Sequence, residues 1–427
     1  MKRAAVALCD IFSKIIIIGF GIQTILGIVW MCYNMPSLRD LGVGGGFAGS
    51  YLHALAVDVF PFVYLLQLAA GVGVGFVTLK ALAPKLSWQM CLYASIGVNF
   101  FPMVLQCHMS ITPYSLGGTL LLGEIGLGAA MLRQKDTLSL RKFCTMTAMW
   151  CLMSLIIPMF FYVGLVPILA VVIAGRKQLL PGKRWVSFLI LLLAFGGISL
   201  GLYGADPGNA VIPDREEAAF HLCSRIIWPK IGIDYYYGWP EELQELYKED
   251  IFQITFYADE MEDRFRPMML GTYGKDQAIR YYHALEKFAL SSNGTLIARQ
   301  ALGDFGAYLC APLALILQLR GRLSSAYVGR NYEAFLENVP MLSSVYMNFA
   351  IALYLLMLTG LVIMVLCRMC GKGKKTLSAV WMSLITIGLL CLLATLRGAG
   401  LMDYKITFVV TELVMLVGTV MTAKQKG

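Results

Sequence analysis

The sequence predicts an all-α, polytopic transmembrane protein with about ten spans, both termini in the cytoplasm and one helical domain outside. Three observations predict it. Hydrophobic residues make up 58% of the chain and charged residues 14%, against roughly 45–50% and about 25% in soluble domains, so the surplus apolar surface must face lipid. The apolar residues fall into runs of spanning length. The basic residues sit in short loops between those runs, in the pattern of the orientation bias of membrane insertion. The formal net charge of +9 forms no patch or stripe, so a nucleic-acid partner is excluded.

A helix needs roughly 20 mainly apolar residues to cross about 30 Å of hydrocarbon. Such runs occur at 15–33, 51–79, 88–107, 114–132, 185–203, 345–366, 377–396 and 406–421. The first follows Met1-Lys2-Arg3, but it is too long for a signal-peptide core of about 7–15 residues and has no nearby small-x-small cleavage site. It reads as an uncleaved span. The stretch 143–174 is too long for one span and contains Pro158, Gly164 and Pro167. Arg141 and Lys142 precede it, and Arg176, Lys177, Lys183 and Arg184 follow it. Both ends therefore belong in the cytoplasm, and the stretch reads as a hairpin of two short helices.

With that hairpin the sides agree throughout. Lys2, Arg3, Lys14, Lys80, Lys85, Arg133, Lys135, the 176–184 and 368–375 loops and the 424–426 tail all fall inside. The apolar segment 305–319 reaches only about 22 Å, so it is expected to lie as a helix on the outer interface, with Arg320 and Arg322 at headgroup level. Residues 1–203 then form an N-terminal bundle of about seven spans, 204–342 an outer, mainly helical domain, and 343–427 a C-terminal bundle of three. The outer domain is rich in acids and in helix-opening signals. Pro240-Glu241-Glu242 places proline and acids in a first turn, and Asp276 opens an apolar helical periodicity over 277–289.

Of the eleven cysteines, most lie in or beside apolar runs and read as small hydrophobes. Cys367 and Cys370 form a lone C-x-x-C without the second pair a metal or redox site needs. The four histidines are too dispersed to propose a metal site.

Ionisable residues within spans are costly and rare. Asp58, Glu124 and Glu412 are the intramembrane candidates, each set against a neutral, hydrogen-bonded helix contact with Asn99, Gln106 or Gln67. Glu124 sits in Leu122-Gly123-Glu124-Ile125-Gly126, where small residues permit close helix approach. A second set belongs to the outer loops. Arg39-Asp40 precedes a glycine run, and Arg397 and Lys405 flank the last outer loop. Arg39, Arg397 and Lys405 could hold a lipid phosphate, and Asp40 or Asp58 could bind a divalent cation or act as general base. The alternative for these residues is headgroup snorkelling. Tyr236, Tyr237 and Trp239 lie in an aromatic-rich turn suited to stacking on a sugar or to an interfacial belt.

The many spans, the acid in the first outer loop and the large outer domain resemble polyprenyl-phosphate-sugar-dependent glycosyltransferases of the GT-C type, such as bacterial protein-mannosyltransferase-like proteins. Two stretches, 51–58 and 398–405, also resemble segments of multi-span proteins from Gram-positive bacteria. The resemblance implies a bacterial plasma-membrane enzyme that moves a sugar from a polyprenyl-phosphate donor to an extracytoplasmic acceptor. Asp40 or Asp58 would then be catalytic, and Arg397 and Lys405 would bind the lipid phosphate. The pattern departs from that family in one respect: Asp40 stands alone where a pair of acids is usual. Two other functions fit the sequence. One is a carrier or lipid flippase using intramembrane carboxylates, and the other is a non-catalytic membrane scaffold.

Overall fold

The computed structural model of the chain describes residues 2–34, 62–109, 113–133, 139–157, 159–179, 184–204, 215–227, 241, 243, 265–310, 340–369, 377–397 and 404–422. Every regular element among these residues is helical. In chain order they are α1 (Lys2–Asn34), α2 (Phe62–Leu82), α3 (Trp88–Asn99), α4 (Pro102–His108), α5 (Pro113–Arg133), α6 (Leu140–Ile156), α7 (Phe160–Leu179), α8 (Arg184–Gly204), α9 (Arg215–Ile227), α10 (Arg266–Leu309), α11 (Pro340–Met369), α12 (Leu377–Arg397) and α13 (Tyr404–Thr422). They belong to two compact units. One takes Met1–Val211, Asn331–Leu390 and Phe408–Gly427, the other Ile212–Arg330 and Cys391–Thr407.

Among the described residues, four helices are long and apolar enough to cross a bilayer, at Lys14–Cys32, Val63–Leu82, Tyr114–Arg133 and Met341–Ile363. The bent pair α3 and α4 makes a fifth if it is one span, and shorter apolar stretches lie at Phe160–Gly175, Leu189–Ile198, Ala379–Thr395 and Ile406–Met421. Burial in the first unit is inverted relative to a soluble protein. Ile18, Ile25 and Leu66 are 62%, 63% and 65% exposed, whereas Gln23, Asn99 and Glu124 have no exposed surface. Aliphatic side chains outside and polar groups inside is the stable arrangement when the surroundings are hydrocarbon.

Proline positions decide where the helices stop. The run at 88–107 is not one continuous span, as its hydropathy suggests, but two helices meeting at a 77° bend. A residue before proline is pushed out of the helical region by the ring, and Phe101, before Pro102, is extended at φ −71° and ψ 135°. Pro102 also has no N–H to continue the helical ladder and instead takes the first helical position of α4. The same rule divides 143–174. Ile157, before Pro158, is extended at φ −135° and ψ 107°, and α7 folds back on α6. The Trp150 indole thus donates to the Phe161 carbonyl at 2.8 Å, and Trp150 lies against Gly164. In one straight helix positions 150 and 164 would stand roughly 21 Å apart. Serine caps open the partner helices: Ser87 Oγ accepts from the Met90 amide at 3.2 Å, and Ser139 caps α6 in the same way.

Residue pairings give the helix directions in this unit. Phe20 meets Gly97 and Gln23 meets Phe100, so α1 and α3 run the same way. Between α2 and α3, Gly71 meets Asn99, Gly75 meets Ser95, and Lys80 donates to the Leu86 carbonyl, so these two are antiparallel. Helix α5 runs with α2, because Thr78 packs on Leu122 and Gly126 while Gly71 packs on His108, which is bonded to Ser115. Gly117, Glu124 and Gly128 of α5 follow Phe160, Gly164 and Pro167 of α7, so that pair is also parallel. Glycine at these crossings lets backbones approach where any side chain would collide. A Cβ on Gly97 would lie 2.3 Å from the Phe20 ring.

The second unit is built on α9 and α10. Glu216 and Glu217 occupy the first turn of α9, where acids complement the free amides and the dipole. Phe220 and Cys223 turn inward on Phe265, Met269, Ala278, Tyr282 and Leu285 to form its apolar core. Buried within it, Glu216 pairs with Arg266, whose Nη2 donates to Oε2 at 2.7 Å and whose Nε donates at 3.2 Å. The Tyr282 hydroxyl donates to Oε1 at 3.4 Å, and the guanidinium lies 5.4 Å from the centre of the Phe220 ring. Burial, followed by the nearby Glu216 charge, raises the Tyr282 phenol above its ordinary value. Along α10, Gly274 takes a φ of 69°, which favours glycine, two residues before the helix opening expected at Asp276. Of the expected interfacial helix, 305–309 close α10 and Cys310 caps it; 311–319 lie outside the described residues.

Removing the cation while leaving the buried carboxylate is costly. Arg266 is partly exposed, so Arg266→Ala is expected to cost toward the lower end of roughly 3–5 kcal/mol. Hydrogen exchange on the full chain checks this: amide protection across α9 and α10 should fall, while that of α5 stays unchanged.

Candidate functional site

The break between α3 and α4 gathers the polar groups of the first unit. It is level with Gln23 and Gly71, central in the candidate spans Lys14–Cys32 and Val63–Leu82, and with Ser115 and Tyr346 in the opening turns of Tyr114–Arg133 and Met341–Ile363. The Phe100 carbonyl at the break accepts from Gln23 Nε2 at 3.1 Å and from the Tyr346 hydroxyl of α11. Each partner is supplied by a different helix, so the interrupted backbone is satisfied by the bundle around it.

Next to this carbonyl runs a chain of buried side chains. Asn99 Nδ2 donates to the Ser95 carbonyl at 2.8 Å, which leaves Oδ1 as the acceptor for His108 Nε2, also at 2.8 Å. Nε2 therefore carries the proton, and Nδ1 accepts from the Ser115 hydroxyl at 2.8 Å. Gly71 leaves room for this chain. A Cβ there would stand 2.3 Å from Asn99 Oδ1 and 2.8 Å from His108 Nε2. Ser115 lies in the first turn of α5, which opens at Pro113 at this same depth. The first amides of a helix have no intrahelical acceptor, so α5 brings N–H groups and the positive end of its dipole to the break. Together these groups can bind acceptor oxygens of a polar solute or pass a proton. The order hydroxyl, imidazole, amide is also that of a nucleophilic triad.

The two intramembrane carboxylates lie elsewhere in the bundle. Glu124 is in mid-α5, and neither of its oxygens takes a hydrogen bond among the described residues. Its Oε2 would be 3.0 Å from a Cβ on Gly164 of α7. Glu412 of α13 sits on another face of α5, with Oε2 3.9 Å from a Cβ on Gly118. Asn99, one of the partners suggested for these acids, serves His108 instead. Of the outer-loop candidates, Arg39, Asp40 and Asp58 and the aromatic residues Tyr236, Tyr237 and Trp239 lie outside the described residues. Arg397 ends α12 and Lys405 lies in the first turn of α13. Ser115 was not singled out by the sequence reading, Asn99 entered only as a possible partner for a carboxyl, and His108 only as one of four dispersed histidines. The Phe100-Phe101-Pro102 punctuation inside an apolar run, next to Asn99, was the signal that could have found them. No family model, no curated protein and no solved structure matches the chain.

Gly71→Ala is expected to force Asn99 and His108 apart. The cost, combining overpacking with a strained buried hydrogen bond, is about 1–3 kcal/mol, read as a lower thermal midpoint in detergent. Gly73→Ala, where a Cβ meets nothing within 4 Å, should leave the midpoint in place.

Proposed function

We propose that this chain is a membrane carrier whose solute site is the helix break at Asn99, Phe100, His108 and Ser115. The observation that carries the reading is the interruption itself. Discontinuous helices at mid-membrane depth, with polar groups and a helix N-terminus converging on them, characterise solute sites in carriers. Non-helical backbone is tolerated at that depth only where protein or a polar cavity surrounds it. The positive end of the α5 dipole favours a small solute with acceptor oxygens, such as a carboxylate. The basic loops support about ten spans with both termini in the cytoplasm, and the resemblance of 51–58 and 398–405 supports a bacterial plasma membrane.

The reading is tested by access to Ser115. With Ser115→Cys, a membrane-impermeant methanethiosulfonate reagent is added to right-side-out and to inside-out vesicles, and the modified peptide is measured by mass spectrometry. A carrier exposes its site alternately, so labelling should occur from both sides. Labelling from one side only would point to a fixed, enzyme-like site, and none from either side would mark the polar chain as structural.

Sugar transfer from a polyprenyl-phosphate donor to an envelope acceptor is a second reading, supported by the resemblance in the outer loops. A divalent cation at Asp40 or Asp58 belongs to that reading, as do lipid-phosphate contacts from Arg39, Arg397 and Lys405. It expects Asp40→Asn or Asp58→Asn to abolish transfer in membranes supplied with labelled lipid-linked sugar, at unchanged protein level. Full transfer by both variants would sink it.

A further inference from the structure

We propose that Glu124 is a proton-binding site of the bundle, separate from the helix break. The carboxyl is enclosed where α5, α6 and α7 meet, with no exposed surface. Both oxygens lack hydrogen-bond partners among the described residues. The Trp150 indole, which also lies over Gly164, is already given to the Phe161 carbonyl. Gly164 brings the α7 backbone within van der Waals distance of Oε2. Pro167 lies inside α7 and has no N–H to give the carbonyl four residues earlier. That carbonyl belongs to Val163, the residue before Gly164. A carboxylate here would keep a buried charge with no donor among the described residues. One proton on Glu124 removes that charge and leaves a neutral acid with a hydrogen to give, for which the Val163 carbonyl, next in sequence to Gly164, is a candidate acceptor. Taking up the proton changes the local charge from −1 to zero.

A proton suits this pocket better than a metal ion. Oε2 shares the space over Gly164 with Trp150 and Met153, neither of which carries an oxygen in its side chain, and no metal-binding cluster of His, Cys, Asp or Glu occurs among the described residues, whereas a hard cation needs several oxygens. The other titratable groups on the helices around α5 are displaced from it. His108 is engaged near the start of α5, Glu412 faces Gly118, and Lys80 and Arg133 reach carbonyls at the α2 end. On α6, Cys151 is buried beside Trp150, and on α7 Tyr162 is largely exposed. This proposal deepens the carrier reading by supplying its coupling ion, but its test does not depend on that reading.

Infrared difference spectra of the full chain in lipid, recorded between acid and alkaline pH, report the carboxylic-acid C=O band directly. The expected result is a band present at acid pH, lost as pH rises and missing in Glu124→Gln. Gly164→Val, which presses on Oε2, should shift the midpoint of that loss. As a second measure, dicyclohexylcarbodiimide, which reacts with protonated carboxyls in apolar surroundings, should modify Glu124 at acid pH and lose that reactivity at alkaline pH. An absent band, with no labelling at either pH, would overturn the proposal. A band that persists through the whole range would do so too, because it would mark a fixed neutral acid. Two-sided labelling at position 115 combined with either of those results would leave the carrier reading standing and remove this one.

Discussion

The first unit depends on one carbonyl. Within hydrocarbon a backbone oxygen without a donor costs several kcal/mol, and breaking a helix at Pro102 creates that situation. Val98 loses the amide that Pro102 lacks and accepts from Phe101 at 3.0 Å instead. Phe101 is satisfied by Leu105 at 2.7 Å, within the next helix. Phe100 has no such local solution, and its oxygen is taken by Gln23 and Tyr346. Those two donors come from α1 and α11, which are far apart in sequence, so the break and the packing of the bundle require each other. Without both donors the interruption would be unstable. Without the interruption Gln23 would be a polar group buried at the centre of a span.

The second unit solves a similar problem by other means. There the buried group is a carboxylate, and a charge supplied from fifty residues away closes it. Arg266 suits the role because its planar fork gives two donors to Glu216 while its face covers Phe220. Its own partial exposure lets the head keep some hydration. The first unit has no comparable pairing around Glu124 among the described residues, a contrast that sets that carboxyl apart from an ordinary structural ion pair.

Fold class was legible because it rests on composition and on runs of residues. The hairpin at 143–174 was legible too, since loop charge and Pro158 gave the same answer as the backbone at Ile157. The break at 88–107 was missed for a physical reason. Hydropathy averages over a window, and Pro102 sits among Phe100, Phe101, Met103, Val104 and Leu105, whose apolar character hides it. The polar chain was equally hidden. Asn99, His108 and Ser115 are spaced like nothing on a single helix, and only the bend brings them into contact. Glu124 was visible because a carboxyl in a span is rare, but its surroundings were not, since Gly164 reaches it from another helix. Arg39, Asp40 and Asp58 lie outside the described residues, so they stand on sequence alone.

Helix α5 joins these features. Ser115 in its first turn completes the polar chain at the break, and Glu124 lies roughly 13 Å further along the same helix. Its glycines meet partners on several sides: Gly117 on α6 and α7, Gly118 on α13, Gly123 on α6 and Gly126 on α2. Leu121, Leu122, Ile125 and Met131 are buried between those partners, so any shift of α5 is a rigid-body movement against them. Any such shift moves Ser115 against His108 and Glu124 against Gly164 together. A change of protonation at one carboxyl would then be felt at the break without a chain of contacts between them, because both groups are carried by one rigid rod. The coupling needed for ion-driven movement of a solute is therefore available within a single element of this fold.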